Sequence, residues 1–353
     1  ADGSDLSADG SVLVAAVDDN KVTLWAGTVE VTTGDVAVGA SIAIADVVAD
    51  TRAWIAEGAA VKGLAAAATD TIAAATGDSS ISYTGDVADD GTELAPPGNV
   101  PTATTGDGEL SADDPSWTQV RESAADYADI RGVAVTANST DTVKGYVGTI
   151  GGTKDAAVVG ALFLPSVKRT TDASVAGIVN ATDDLAAASE DQDVVVSAGS
   201  DFHSVGVTGV LGVSAGEGGA AVAPSVSWHT ADLTTLAHID EGASVMAGGD
   251  VVVAAGASQH ITRVTAGIAG SGGDGAAGVE GSVTGLHLTS TTQAFVGADA
   301  TVTALGNVLV SASDDTVETG VAGGIAVAIA EVSGAVGAGV VYTHIDKTTA
   351  AYI

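Results

Sequence analysis

The chain has 353 residues, of which 45 are acidic and 11 are basic, so its net charge is −34. This charge disfavours nucleic acids and anionic membranes as partners. The absence of cysteine excludes disulfides, thiolate chemistry and Cys-based zinc sites. Aromatic residues make up only 3% of the chain while hydrophobic residues reach 46%, which predicts a narrow core of small side chains, because large rings normally fill a wide globular core.

An alternating strand motif recurs from one end of the chain to the other. It begins at Val12 and returns at Val133, Val194, Val251 and Val308, and the last three of these stand 57 residues apart. A closing motif follows each copy, with its middle residue at Trp54, Gly177, His238, Phe295 and Tyr352. Two motifs that keep one register predict tandem structural repeats.

Inside a repeat the apolar residues alternate as in strands, and Gly, Asp and Asn stand between the alternating segments. Short strands of about five residues with corners between them, including a turn at Asp314-Asp315, predict an all-β solenoid. Each repeat of 57 residues is expected to form three coils of about 19 residues, or alternatively two of about 28. A β-sandwich is less favoured, because hairpin dipeptides and irregular spacing are not prominent.

One region interrupts the repeat. Val12 and Val133 are 121 residues apart, which exceeds one period of 57 by 64 residues. The extra residues, about 64–129, begin Ala-rich and continue as a Pro-, Gly- and Asp-rich segment. They predict an excursion that protrudes from the solenoid and re-enters near Trp117 to Val120, with a hinge between two solenoid segments as the alternative. The predicted divisions are 1–63, 64–129 and 130–353, the last with about four repeat units.

Candidate metal-binding residues are acidic pairs, which are either solvated corners or calcium ligands. The pairs are Asp18-Asp19, Asp89-Asp90, Asp113-Asp114, Asp183-Asp184 and Asp314-Asp315. The segment from Asp89 to Asp114 is the first place to look for Ca²⁺. No catalytic or cofactor-binding residues are predicted, since the only basic pair is Lys168-Arg169 and no acids are selected as its partners.

The six histidines show no metal-ligand spacing. His287 and His344 occupy equivalent repeat positions, but three coils would separate them by about 14 Å, too far for one metal ion. The most apolar stretch, Gly320 to Val341, has the length of a membrane span, yet Glu331 and its many glycines favour buried strands.

The repeats resemble those of giant bacterial surface exoproteins, the filamentous-haemagglutinin-like large adhesins. The resemblance rests on the form G-[DN]-V-x-V-x-A and on closing stretches such as 291–297 and 348–353. It covers nearly the whole chain, and it implies a right-handed parallel β-helix and an extracellular, cell-surface location, with surface polysaccharide or another cell as partner. The secretion domain usual in that family is not seen in this sequence, so an interior piece of such a protein is expected.

The two ends of the chain also fit one another. Joining Ile353 to Ala1 of a second copy keeps the spacing of 13 residues between the closing motif and the next strand motif. The sequence therefore predicts a structural segment of a fibre or adhesin that stacks head to tail, with Ca²⁺ as its one candidate ligand. The alternatives are a carbohydrate-active β-helix enzyme and a carbohydrate- or ice-binding module, the latter suggested by Thr pairs at 234–235, 291–292 and 348–349.

Overall fold

The chain forms three stacks of parallel strands in a computed structural model, which describes residues 3–84, 120–181, 184, 188–329 and 333–353. The short sheet contains β1 (Asp5–Ala8), β4 (Ala60–Gly63), β9 (Ile178–Val179), β12 (Ser244–Ala247) and β15 (Thr301–Ala304). The first long sheet contains β2 (Val12–Val31), β7 (Gly132–Thr153), β10 (Asp193–Ser214), β13 (Val251–Gly272) and β16 (Val308–Ile329). The second long sheet contains β3 (Val36–Ile55), β8 (Ala156–Val175), β11 (Ala220–Ile239), β14 (Ala277–Val296) and β17 (Gly334–Tyr352). Every regular element in the described ranges is a strand.

Each coil takes one strand from each sheet, and successive coils pair in parallel. This confirms the predicted all-β solenoid, while its right-handed sense stays a prediction. Val194 pairs with Val251, which pairs with Val308, so one repeat of 57 residues is a single coil. The expectation of three coils per repeat, and the alternative of two, are both wrong.

The coils are large because the long strands continue through residues that were expected to form corners. Asp314 and Asp315 lie inside the 22-residue strand β16, so the turn predicted there is wrong. Several inward-facing glycines each make room for a larger side chain that projects from the opposite sheet. A Cβ at Gly145 would lie 2.2 Å from the ring of Phe163, and one at Gly206 would lie 2.3 Å from His229. These glycines mark close packing between the sheets, not turns.

The core divides into two parts along the long strands. Beside the short sheet, side chains from all three sheets meet, for example Val135 of β7, Val175 of β8 and Val179 of β9. Farther along, only the two long sheets face each other, around Val147, Phe163 and Leu233. The coil is thus three-sided at the short sheet and a flat two-layer slab beyond it. We call this two-layer part of each coil the distal half. At its far end each strand of the first long sheet connects to the following strand of the second long sheet.

The inserted segment leaves after β4 and returns at β7. Its described parts are β5 (Ile72–Thr84) and β6 (Val120–Ile130), which pair antiparallel. Part of β5 lies against the outer face of the first long sheet, where the hydroxyl of Ser197 donates a hydrogen bond of 2.5 Å to the carbonyl of Ala75. Val12 still pairs with Val133, so the insertion does not separate the first two coils along the stack. The predicted re-entry from Trp117 lies outside the described residues up to Val120.

Candidate interaction surfaces

The acidic pairs proposed as calcium ligands have other partners where the structure describes them. Asp18 contacts Arg169 at 2.5 Å, Asp314 contacts Lys347 at 2.8 Å, and Asp184 contacts Lys62 at 2.6 Å. Residues 89–114 and Asp183 lie outside the described residues. Across the described part of the chain, no group of three or more His, Asp or Glu side chains is placed to hold a metal ion.

Arg169 is the centre of a buried ion network that was not predicted. Its side chain is only 1% exposed, and its Nε and Nη2 each donate to a carboxylate oxygen of Asp141 at 2.5 Å. Its Nη1 also donates to Asp18 and to the hydroxyl of Thr51. The hydrogen bond from Arg169 is the main cause that holds the pKa of Asp18 below its ordinary value, against the effect of burial. The alternation of buried and exposed residues along β8 could have indicated that Arg169 points inward, because it lies an even number of residues from the inward-facing Ala173 and Val175.

The histidines stack more closely than expected. His287 and His344 lie on adjacent coils with ring centroids 4.9 Å apart, so the predicted separation of about 14 Å is wrong. His238 stacks on Phe295, which stacks on Tyr352, in one column on the outer face of the second long sheet. Burial opposes the charge of His238, but Asp172 and Asp240, at 3.0 and 2.8 Å, outweigh it and raise the pKa of the ring.

Two titratable groups are enclosed between the long sheets. His229 is 2% exposed, and its Nδ1 and Nε2 lie 2.8 Å from the hydroxyl of Ser204 and 3.0 Å from that of Ser227. Burial, with a smaller contribution from Arg263, lowers the pKa of His229 to about 3. Burial also raises the pKa of Glu280, whose carboxylate accepts a hydrogen bond from the hydroxyl of Ser282. Both side chains are only 2% exposed, so a dissolved molecule does not reach them in this structure.

The outer face of the second long sheet is apolar over its whole distal half. Outward residues alternate along 36–44, 156–164, 220–228, 277–285 and 334–342, and none of them is charged. Their only polar side-chain atoms are the indole nitrogen of Trp228 and the hydroxyl of Tyr342. We call this surface the apolar patch. On the inner coils Val158 is 43% exposed and Val279 45%, so the exposure is not limited to the ends of the stack. A large exposed apolar surface of this kind marks an interaction site.

The outer face of the first long sheet carries a narrower apolar feature. A column of small residues, including Gly148, Gly209 and Ala266, forms the floor of an open groove of about 280 Å³. Ile150, Leu211 and Ile268 form one wall of the groove, which runs across the strands. Both outer faces of the distal slab are therefore apolar.

The threonines considered for ice or carbohydrate binding form a single column. Thr234 pairs with Thr291, Thr291 with Thr348, and Thr170 continues the column on the other side of Thr234. One column is not the two-dimensional lattice that the ice-binding alternative needs.

The two outermost coils present unpaired strand edges. In the described residues β2 and β3 end their sheets on one side, and β16 and β17 end them on the other. Inward side chains are uncovered there: Val341 is 49% and Ile345 40% exposed, whereas Leu288, the in-register partner of Ile345 on the next coil inward, is fully buried. Long, flat, unpaired edges are templates for adding another strand.

Comparison with known proteins adds no identification. No family model, no curated protein and no solved structure matches the chain. Among the described residues there is no helix long and apolar enough to cross a membrane.

Proposed function

We propose that this chain is a structural segment of an extracellular fibre or giant cell-surface adhesin, in which copies stack head to tail into an acidic rod. The observation that carries the proposal is the regular stack of coils whose outermost strands keep free edges on both sides. Because the backbone hydrogen bonds of the three parallel sheets run along the stack, further coils extend the rod without any change of fold.

The edges that would meet are matched in length. The 22-residue β16 would pair with the 20-residue β2 of the next copy, and the 19-residue β17 with its 20-residue β3. Within the chain Trp54 and Tyr352 belong to the same column of the second long sheet, so stacking would place one on the other. Each added copy of five coils would lengthen the rod by about 24 Å, at about 4.8 Å per coil.

The extracellular location and the adhesin role are supported by the resemblance of the repeats and by the composition. A net charge of −34 keeps rods soluble in salt, and a cysteine-free chain needs no oxidative step to fold. Attachment to surface polysaccharide or to another cell belongs to the same proposal.

The experiment blocks one edge. Ile345→Lys places an ammonium at the uncovered end of an interior column, where a following coil would bury it without a partner. Thr348→Lys adds the same charge on the same strand, but on the outer face, and serves as the matched control. Electron microscopy and sedimentation should show filaments for the parent and for Thr348→Lys, and short oligomers for Ile345→Lys. Filaments of equal length in all three proteins, or none in the parent, would overturn the proposal.

A further inference from the structure

The apolar patch on the second long sheet is not used by head-to-tail stacking, because it faces sideways from the rod. Its five strands at about 4.8 Å spacing and nine residues at about 3.3 Å each give a surface of about 700 Å². Two such surfaces in contact would bury about 1,400 Å², which lies within the range of specific, stable interfaces.

The surface shape of the patch is complementary to a second copy of the same patch. A column of valines (Val38, Val158, Val222, Val279 and Val336) forms a ridge across the strands. The next outward column contains only small residues or proline (Ala40, Gly160, Pro224, Gly281 and Ala338) and forms a furrow. Ridge and furrow have the same spacing on every copy, so two patches turned face to face can interdigitate at the usual distance between packed sheets, about 10 Å.

The distribution of charge limits the kinds of partner that could bind the apolar patch. The outward side chains of the patch include no Asp, Glu, Lys, Arg or His, so nothing in it selects an ionic partner. Acidic residues border it at the distal turns, including Asp35, Asp155, Glu217 and Asp274, which disfavours an anionic membrane surface. The free edges of the outermost strands could not be satisfied in hydrocarbon.

We propose that the apolar patch binds the same patch of a second copy of this chain, so that rods pair side by side. The pairing does not require head-to-tail growth, and it would give a two-rod bundle in which the apolar patches of both rods are covered. In a growing rod the patch becomes a continuous stripe, so lateral pairing strengthens with each added copy.

The test is made on the Ile345→Lys background, in which head-to-tail growth is blocked. The double variant Val222→Lys/Val279→Lys puts two charges into the patch, and it lowers the net negative charge, so a loss of pairing cannot come from greater repulsion. Its control, Thr234→Lys/Thr291→Lys, carries the same charges on the same two strands and outer face, outside the patch. Light scattering against concentration in about 0.5 M salt, where charge repulsion is screened, measures the mass.

We expect a dimer for the background and for the control, and a dimer dissociation constant raised at least tenfold by the patch variant. Circular dichroism verifies that each variant is folded. A monomeric background at every concentration, or an undisturbed dimer in the patch variant, would overturn the inference.

Cross-linking gives a second measurement that does not depend on the lysine variants. Pro224 lies on the middle strand and in the middle column of the patch, so a two-fold pairing centred on the patch brings its two copies together. The chain has no cysteine, so Pro224→Cys provides a single thiol. A bifunctional maleimide with a reach of about 10 Å should cross-link Pro224→Cys and not Thr234→Cys. Absence of cross-linking would refute the pairing with a second copy. Flotation of a monomer with phosphatidylcholine vesicles that depends on the patch would instead assign the patch to lipid.

Discussion

His229 permits a quantitative test of how tightly the two long sheets enclose their interior. The imidazole is held neutral between Ser204 and Ser227, and burial lowers its pKa to about 3 from the ordinary 6.5. Between these pH values the unfolded chain binds a proton that the folded chain does not, so stability must fall as the pH drops from about 7.5 towards 3. At 1.36 kcal/mol per unit, this single group costs about 2 kcal/mol at pH 5 and about 5 kcal/mol when the fall is complete.

The substitution His229→Gln removes the proton-binding group and retains hydrogen-bonding capacity towards the two serines. Urea unfolding at pH 7.5 and pH 5.0, at constant salt, measures the free energy of unfolding of parent and variant. The parent should lose about 2 kcal/mol more than the variant between the two pH values. Thr230→Gln, on the neighbouring outward position, is the control and should keep the pH dependence of the parent. Equal pH dependence in all three proteins would mean that His229 is not enclosed as described.

Three further predictions concern the interior and the assembly. Arg169→Met leaves the buried carboxylate of Asp141 without its cationic partner and should lower the free energy of unfolding by about 3–5 kcal/mol. Lys168→Met, an exposed neighbour, should change it by less than about 0.5 kcal/mol, and similar values for both variants in urea titrations would contradict the buried network. Gly206→Ala places a Cβ against His229 and should destabilise the fold by about 1–3 kcal/mol in thermal unfolding. In Gly209→Ala, on the same strand, the added Cβ meets no atom within 4 Å, so this control should be neutral or stabilising. Filaments of a chain with net charge −34 should disperse on transfer to about 10 mM salt with a chelator, because the Debye length rises to about 30 Å and the acidic copies then repel one another. If the turbidity of the filaments changes neither with the salt concentration nor with the chelator, the rod is not stabilised by ions.

Alternation and spacing in the sequence were sufficient for the fold class. The valines at 194, 251 and 308 do stand in one column, and the closing residues Phe295 and Tyr352 do stack, because a repeated coil places equivalent residues one above another. The inward direction of the Arg169 side chain could also be predicted from the two-residue alternation of a strand. Its two carboxylate partners could not, since both come from the other long sheet, Asp141 from β7 of the same coil and Asp18 from β2 of the adjacent coil.

The number of coils per repeat was decided only by the tertiary structure. Glycine and aspartate are ambiguous in a sequence: both form turns, but an inward glycine such as Gly145 instead accommodates Phe163 from the facing sheet. That contact joins residues of different strands, so local pattern cannot distinguish a corner from a close sheet packing. The same holds for the apolar patch. The alternation of one strand has two apolar faces in the distal half, and only the pairing of the two long sheets determines that one of them is buried while the other faces outward.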